Sequence, residues 1–278
     1  MIFDIFNFYH IVLGLPLRKF IVTTIGGGGK NPMSGDAPSI LVILGSPRDY
    51  GSSTKLAYVA MEGVKDAGGR AEIVRLYEHK IKPCLGCVSD DIKLCRFPCV
   101  IDDDDFNALG EKMMNSDGYI IATPVYWYAP SGTLKNFIDR LTSMENMSVH
   151  TGRSLLEGKV AGFVAAGLDS GVMMAIAYLM SVFNSMGVVV APWSMAYSHM
   201  EDVTKDENAL RDAYNVGYLV VETVKALKAY GKRVGYNWKV DVGRLIRAAE
   251  GAFREEERTK RLRELEKLAS KAPGSASG

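Results

Sequence analysis

The stretch "SILVILGSPRDYGSSTKLAYVAMEGVKDAGG", residues 39–69, decides the fold because it contains a complete strand, loop and helix. Its first seven residues, 39–45, form a short apolar run rich in β-branched side chains, which is typical of a parallel strand buried on both faces. The helical segment that follows ends at Gly68 and Gly69, a common C-terminal stop. Residues 39–69 therefore predict the first unit of a parallel α/β sheet.

The same alternation of strand and helix continues along the chain. Further strands are predicted at 71–77, 118–124, 159–167 and 187–192, and further helices at 104–115, 132–144, 171–186 and 207–231. The helix at 132–144 carries one apolar face at helical spacing, formed by Leu134, Phe137, Ile138 and Leu141. Five strands alternating with helices predict a doubly wound parallel sheet with helices on both faces, spanning residues 39–232.

Residues 1–38 are predicted to be a flexible arm and linker. Polar and charged residues interrupt every apolar run in residues 1–25, so no membrane span is expected. A secretory signal is not expected either, because no positively charged segment precedes the apolar part. The glycine-rich segment 26–38 has the composition of a flexible linker. Because Met33 begins a stretch typical of a natural start, we hypothesise that residues 1–32 are an upstream translation artefact or a mobile arm.

Residues 233–278 are predicted to be a charged helical extension. Within it, residues 240–272 carry a sparse apolar trace: Leu245, Ile246, Ala249, Phe253, Leu262, Leu265 and Leu268. Such a pattern fits a solvated helix packed along the domain edge or a helix that contacts another subunit.

The composition is that of an ordinary globular protein, with 47% hydrophobic and 23% charged residues and a net charge of +1. Since no strong positive charge is present, nucleic acid is not expected as a main partner, and small molecules or proteins are. The chain contains no glutamine and ends in a segment dense in Glu, Arg and Lys. Those features favour a thermophilic source, and we expect a cytoplasmic location.

Three loops follow predicted strands at the edge where open parallel sheets bind ligands. The first, "GSPRDYGSST" (45–54), offers glycines, hydroxyls, one guanidinium and a helix N-terminus, which together suit a phosphate monoester. Its candidate ligands are Ser46, Arg48, Ser53 and Thr54. It has neither the nucleoside-triphosphate nor the dinucleotide spacing. The alternative is an ordinary helix cap.

The second loop places large aromatic side chains at a strand end. Its candidate residues are Pro124, Val125, Tyr126 and Trp127. Exposed aromatics at a strand end favour a planar ligand, although packing on a neighbouring helix or subunit is an alternative. The third loop, from Gly167 to Gly171, has small residues that let a ligand approach the backbone. A site with a phosphate end and an aromatic end indicates FMN.

The motifs "GSPR..GSST" and "PVYWYAPSGTLKNFIDR", with the cysteine loop running into "IDDDDF", resemble the NADPH-dependent FMN reductase family and its iron–sulfur flavoproteins. The likeness covers about residues 39–230. It implies a flavodoxin-like fold, an FMN phosphate at the first loop, the flavin ring at the second and third loops, and NAD(P)H as co-substrate. It also implies a homo-oligomer, while Lys135, Asp139 and Arg140 are expected to be mainly structural.

All four cysteines of the chain lie in one loop, at Cys84, Cys87, Cys95 and Cys99. Four thiolates in one loop can bind a cluster or a metal ion. The resemblance implies a [4Fe–4S] cluster, although the third cysteine comes five residues later than in the related motif. Disulfides, free thiols and structural zinc are the alternatives. The acidic run from Asp102 to Asp105 favours a helix start over a metal site.

These observations predict an FMN-dependent NAD(P)H oxidoreductase that passes electrons to a small-molecule or protein acceptor, with no catalytic side chain required. One alternative is an electron carrier with FMN and a cluster that does not turn over nicotinamide. Another is a non-redox module that has lost the flavin.

Overall fold

The computed structural model describes residues 37–168, 170–232, 234–251 and 254–270. The predicted arm at 1–38 falls almost entirely outside these residues, as does Phe253. The strands are β1 (Ser39–Leu44), β2 (Arg70–Arg75), β3 (Gly118–Tyr126), β4 (Ala129–Pro130), β5 (Val160–Ala166) and β6 (Val189–Ser198). The helices are α1 (Ser52–Asp66), α2 (Cys87–Asp90), α3 (Phe106–Met114), α4 (Gly132–Glu145), α5 (Met147–Thr151), α6 (Val172–Ser185), α7 (Glu207–Tyr230), α8 (Val242–Gly251) and α9 (Glu255–Ala269).

The predicted five-stranded parallel sheet is confirmed, with strand order β2-β1-β3-β5-β6. This is the flavodoxin-like order, in which the chain reverses its direction of travel across the sheet between β1 and β3. The short β4 is an addition that pairs antiparallel with the end of β3. Ligands of such sheets bind at the carboxyl ends of the strands near this reversal, so the topology places the candidate site there.

Helices cover both faces of the sheet, as the unbroken apolar run of β1 requires. Leu41 and Ile43 face a core built with α3, α4 and α6. Ile40, Val42 and Leu44 face the opposite core, built with α1 and α7. Because successive side chains of a strand point to opposite faces, a strand between two helical layers has no polar face.

Two strands differ from their predicted bounds. β2 ends at Arg75, and a 3₁₀ turn at Leu76–Glu78 replaces its expected last residues. β6 continues to Ser198, six residues beyond the predicted end, and its pairing with β5 is interrupted by a bulge. The bulge exposes Trp193 at the sheet edge, where a break in pairing protects against edge-to-edge association.

The C-terminal extension forms the helices α8 and α9, and neither has a buried residue. Its apolar trace is therefore exposed at Leu245, Ile246, Leu262, Leu265 and Leu268. The expected packing along the domain edge is not observed, and a contact with another subunit stays a prediction. None of the helices that the structure describes combines the length and apolar character needed to cross a membrane.

Candidate functional site

A cleft of about 490 Å³ lies at the carboxyl ends of the strands, between the loops that follow β1, β3 and β5. Eight of the ten residues predicted for the flavin site line it: Ser46, Arg48, Ser53, Pro124, Val125, Tyr126, Trp127 and Gly167. The other two, Thr54 and Gly171, are not among the lining residues. The three loops that the sequence analysis considered separately therefore form one site.

The first loop is organised around the backbone carbonyl of Arg48. This oxygen accepts hydrogen bonds from Ser46 Oγ at 3.1 Å, Thr54 Oγ1 at 2.9 Å and Gly51 N at 3.2 Å. Thr54 is buried and supports the loop, so the structure gives it a position behind the cleft wall. The guanidinium of Arg48 is left exposed at the cleft.

Helix α1 begins at this loop without a side-chain cap. Its N-cap residue is Gly51, which has no side chain to accept a hydrogen bond from the first turn. The free N–H groups and the helix dipole therefore favour an anion at this end of the cleft. Ser52 and Ser53 line the cleft at the same point and add hydroxyl groups. This donor set fits a phosphate monoester better than a carboxylate-rich or apolar ligand.

The second loop is a two-residue hairpin with both central residues in the left-handed region. Trp127 has φ +50 and Tyr128 has φ +65, between the paired residues Tyr126 and Ala129. Hairpins of this length usually place Asn or Gly at these two positions. Bulky residues in this conformation are strained, and such strain is concentrated at functional sites. The turn leaves the Trp127 side chain 92% exposed.

The third loop contacts the aromatic hairpin through Tyr128. Ser170 Oγ and Tyr128 Oη lie 3.3 Å apart, and both residues line the cleft. Gly171 has φ +100, and a Cβ atom there would lie 2.6 Å from Tyr128 Cδ1 and 2.9 Å from Tyr128 Cα. Gly171 thus provides the space that Tyr128 occupies, and the ring contact predicted for Gly171 stays a prediction.

Sequence reasoning missed several lining residues: Gly51, Ser52, Tyr128, Ala166, Leu168, Ser170, Met200 and Glu201. Most are direct neighbours of predicted ones. Met200 and Glu201 follow β6, and the rule that ligands bind at the carboxyl ends of strands could have found them. The cleft thus joins an anion-binding end to an aromatic end lined by backbone, which fits FMN by the chemistry of its donors.

A second cavity, of about 260 Å³, gathers all four cysteines. Its wall contains Cys84, Cys87, Cys95 and Cys99, together with Asp139, Arg140, Thr142 and Ser143 of α4. The four thiols are free. Among the residues that the structure describes, no group of three or more His, Cys, Asp or Glu side chains is arranged around a single ion position. Four cysteine donors are the ligand set of an iron–sulfur cluster and also of structural zinc.

The four thiols are close enough to influence one another. Burial and the neighbouring sulfurs of Cys84, Cys99 and Cys87 raise the pKa of Cys95 from 9.0 to about 11. Burial and the neighbouring sulfurs thus oppose a negative charge on Cys95 in the absence of a nearby positive charge. A metal cluster supplies that charge, because its ligands are thiolates.

Hydrogen bonds from neighbouring helices hold the cysteine loop. Asn107 of α3 accepts from Cys99 N at 2.8 Å and donates to Cys99 O at 3.0 Å. Asn146, after α4, donates to the carbonyls of Ile92 and Cys95, each at 2.6 Å. Side chains outside the loop therefore hold its second half, which helps to preorganise Cys95 and Cys99.

Within the acidic run, Asp104 forms a buried ion pair with Arg140 in addition to a hydrogen bond at the start of α3. It accepts from Phe106 N at 3.1 Å, as expected of a helix start, and from Lys82 N at 2.8 Å. It also pairs with Arg140 at 2.6 Å, and neither side chain is exposed. The N-cap position itself belongs to Asp105, which makes no side-chain cap bond. Arg140 thus has the structural contact that the sequence analysis expected.

Comparison with known proteins agrees with this geometry. The model of the NADPH-dependent FMN reductase family matches residues 38–202. An iron–sulfur flavoprotein of Archaeoglobus fulgidus is 31% identical over 206 residues, covering 68% of this chain and 96% of its own. A putative NAD(P)H-dependent FMN-containing oxidoreductase of Bacillus subtilis is 26% identical, covering 63% and 93% respectively.

Among solved structures, RosB with a bound riboflavin-5′-phosphate derivative has a TM-score of 0.60 at 18% identity. The alignment covers 79% of this chain and 89% of RosB, and at this identity it supports the fold alone. The fold agrees with the sheet order described above. The matches in sequence and fold together show that the chain belongs to the NADPH-dependent FMN reductase family, in its iron–sulfur flavoprotein subgroup.

Proposed function

We propose that this chain is an FMN-dependent NAD(P)H oxidoreductase that passes electrons onward to a small-molecule or protein acceptor. The observation that carries the proposal is the single cleft in which an uncapped helix N-terminus faces one end and a strained aromatic hairpin forms the other. When bound, FMN supplies the redox chemistry by taking a hydride from the nicotinamide and releasing electrons to an acceptor.

The first loop binds the phosphate in this proposal. The N–H groups at the start of α1 and the hydroxyl of Ser53 donate hydrogen bonds to it, and Ser46 shapes the loop through its bond to the Arg48 carbonyl. Arg48 adds a positive charge from the exposed side, and charge-assisted hydrogen bonds of this kind are about twice as strong as neutral ones. Thr54 keeps the loop in shape through its bond to the Arg48 carbonyl.

The hairpin and the third loop orient the flavin ring. Pro124, Val125, Tyr126 and Trp127 line one side of the cleft, and Gly167 lines another. Gly171 acts indirectly by admitting Tyr128. Because Trp127 is exposed and close to the open side, it is available to stack against a nicotinamide or another flat acceptor.

Cys84, Cys87, Cys95 and Cys99 hold a [4Fe–4S] cluster in this proposal. The common cavity and the mutual influence of the thiols support it. Helix α4 begins directly after the aromatic hairpin and also lines the thiol cavity, so one rigid element joins the two sites. The cluster would let a two-electron donor serve a one-electron acceptor.

We further propose that residues 39–232 form the cofactor-binding domain, with 1–38 as an arm and 233–278 as an extension. The exposed apolar side chains beside the cleft suit a second copy of the chain, and we propose a homo-oligomer. They include Trp127 and Leu168, which line the cleft. Light scattering of the purified protein measures this directly, and a monomer at all concentrations would contradict it.

The test of function is steady-state oxidation of NADH and NADPH by the FMN-loaded protein with an artificial acceptor. Turnover with either nucleotide is expected, while FMN binding without turnover would support the electron carrier. FMN affinity is measured by quenching of FMN fluorescence. A protein that neither binds FMN nor oxidises either nucleotide would overturn the proposal.

Trp127→Ala tests the aromatic end of the cleft. Since the side chain is almost fully exposed, its removal should leave the fold intact. Loss of aromatic stacking should weaken FMN binding by roughly fivefold, because such contacts contribute on the order of 1 kcal/mol. Trp238→Ala is the matched control, because Trp238 is also exposed and lies outside the cleft. Equal affinities of the two variants would contradict the assignment of Trp127.

A further inference from the structure

Arg140 lies in the wall of the thiol cavity with one hydrogen-bond donor left over. Its Nη1 atom donates to Asp104 Oδ2 at 2.6 Å and to the carbonyl of Lys82 at 3.2 Å. Its Nη2 atom donates to Asp104 Oδ1 at 3.3 Å and to the carbonyl of Ile101 at 3.1 Å. These four bonds use all the terminal N–H groups. Its Nε atom is buried and has no hydrogen-bond partner among the residues that the structure describes.

The guanidinium cannot easily turn to satisfy this donor elsewhere. Asp104 holds both terminal nitrogens, and the ring of Phe106 lies under the guanidinium at 4.5 Å from its centroid. A buried donor without a partner costs about 1–3 kcal/mol. Such a cost at a fixed position calls for an acceptor, and a group bound in the cavity is one that could supply it.

Cys99 is the group beside the guanidinium. Both residues line the same cavity, and Arg140 Nη2 donates a hydrogen bond to the carbonyl of Ile101, two residues after Cys99. A neutral thiol is a weak acceptor. A thiolate that ligates a metal carries negative charge and accepts a hydrogen bond well, so ligation of Cys99 would complete the set of partners around Arg140.

We infer that Arg140 is a positioning residue whose Nε–H group donates a hydrogen bond to the ligating sulfur of Cys99 and thereby raises the reduction potential of the cluster. This inference rests on the proposed cluster. Reduction adds one electron, and so one negative charge, to the thiolate-bound centre. A hydrogen bond to one ligand sulfur stabilises the more negative state, which shifts the couple toward reduction.

Arg140→Lys is the first test because it keeps the positive charge opposite Asp104 and removes the Nε donor. The reconstituted proteins are titrated with dithionite, and the reduced cluster is followed by electron paramagnetic resonance. At a fixed potential, the ratio of reduced to oxidised cluster should fall about tenfold, which equals 59 mV for a one-electron couple. Iron content and the unfolding midpoint are measured on the same samples, and four irons per chain are expected in both proteins.

Arg96→Lys is the matched control, because Arg96 also lines the cavity but is exposed to solvent. Its ratio of reduced to oxidised cluster should stay within about twofold of the wild type, since exposed charges are screened. An equal shift in both variants, or no shift in Arg140→Lys, overturns the role of Arg140. A wild-type chain that binds no iron overturns the cluster proposal as well, so the two failures are distinguishable.

A second measurement needs no substitution and decides the matter if Arg140→Lys loses its cluster. Wild-type protein labelled with ¹⁵N-arginine is reduced and examined by pulsed electron paramagnetic resonance. A hyperfine coupling between the cluster spin and an arginine nitrogen is expected, because a hydrogen bond to a ligand sulfur transmits spin density. Absence of any ¹⁵N coupling in the reduced, iron-loaded wild type overturns the inference.

Discussion

Replacing Gly171 by alanine should damage the aromatic end of the cleft. Gly171 precedes α6 with φ +100, a backbone conformation that residues with a side chain rarely adopt. The added Cβ atom would lie 2.6 Å from Tyr128 Cδ1 and 2.9 Å from the Tyr128 backbone. Since one of these atoms belongs to the backbone, a rotamer change alone cannot relieve the overlap, and the hairpin that carries Trp127 and Tyr128 must move.

The magnitude has two parts that a control variant separates. The left-handed backbone costs a residue with a side chain about 1–2 kcal/mol. Overpacking against a fixed neighbour adds roughly 1–3 kcal/mol. Gly152 has φ +81, and a Cβ atom added there would have no other atom within 4 Å. Gly152→Ala should therefore lower the free energy of unfolding only by the backbone cost of about 1–2 kcal/mol. Gly171→Ala should lower it by about 2–5 kcal/mol, the sum of both costs.

The assays are denaturant unfolding and FMN titration by fluorescence quenching on both variants. We expect FMN affinity to fall at least tenfold in Gly171→Ala, since a shift of the hairpin misplaces the aromatic wall. Affinity should be unchanged in Gly152→Ala, because Gly152 does not line the cleft. Equal unfolding free energies for the two variants, or wild-type FMN affinity in Gly171→Ala, would refute the reasoning.

Two further predictions concern the second cavity. Burial opposes ionisation of Asp104, yet hydrogen bonds from Arg140, Lys82 N and Phe106 N lower its pKa below 3.8. The ionised carboxylate therefore stabilises the native state fully above pH 3.8. This stabilisation is lost as the pH falls through the lower pKa of the native state. Asp104→Asn leaves Arg140 buried without a counterion and should lower the free energy of unfolding at pH 7 by roughly 3–5 kcal/mol, measured by denaturant unfolding. The variant should also lose less stability than the wild type as the pH is lowered. The same loss of stability at low pH in both proteins would contradict this. In cluster-free protein at pH 8, a pKa of about 11 gives Cys95 a thiolate fraction roughly a hundredfold lower than a pKa of 9.0 would. Iodoacetamide should therefore modify Cys95 last among the four cysteines at pH 8. The reaction of Cys95 should become faster as the pH approaches 11. Uniform alkylation of the four cysteines would rule out that raised pKa.

The fold was predictable because its signals are local. The apolar run at residues 39–44 lies between two helical layers, so it has no polar face and differs clearly from an amphipathic strand. The flavin-site loops were found by a single topological rule, that ligands bind where parallel strands end. The same rule also applies to Met200 and Glu201, which follow β6 and line the cleft although they were not predicted.

Other features depend on contacts between distant residues and leave no local signal. Nothing in the side chains of Trp127 and Tyr128 favours positive φ, which the short β3–β4 hairpin imposes. Gly63 interrupts a predicted helix without local reason, and only packing explains it, since a Cβ atom there would overlap the backbone of Tyr214 in α7. The pairing of Asp104 with Arg140 likewise joins residues 36 positions apart.

The central claim is that one protein holds a flavin in the cleft and iron among the four thiols. An absorption spectrum of protein purified without oxygen, recorded before and after addition of NADPH or NADH, tests it most directly. The account predicts flavin bands on a broad iron–sulfur absorption, both bleached by the nucleotide. A colourless protein whose spectrum does not change after incubation with FMN and iron would contradict it.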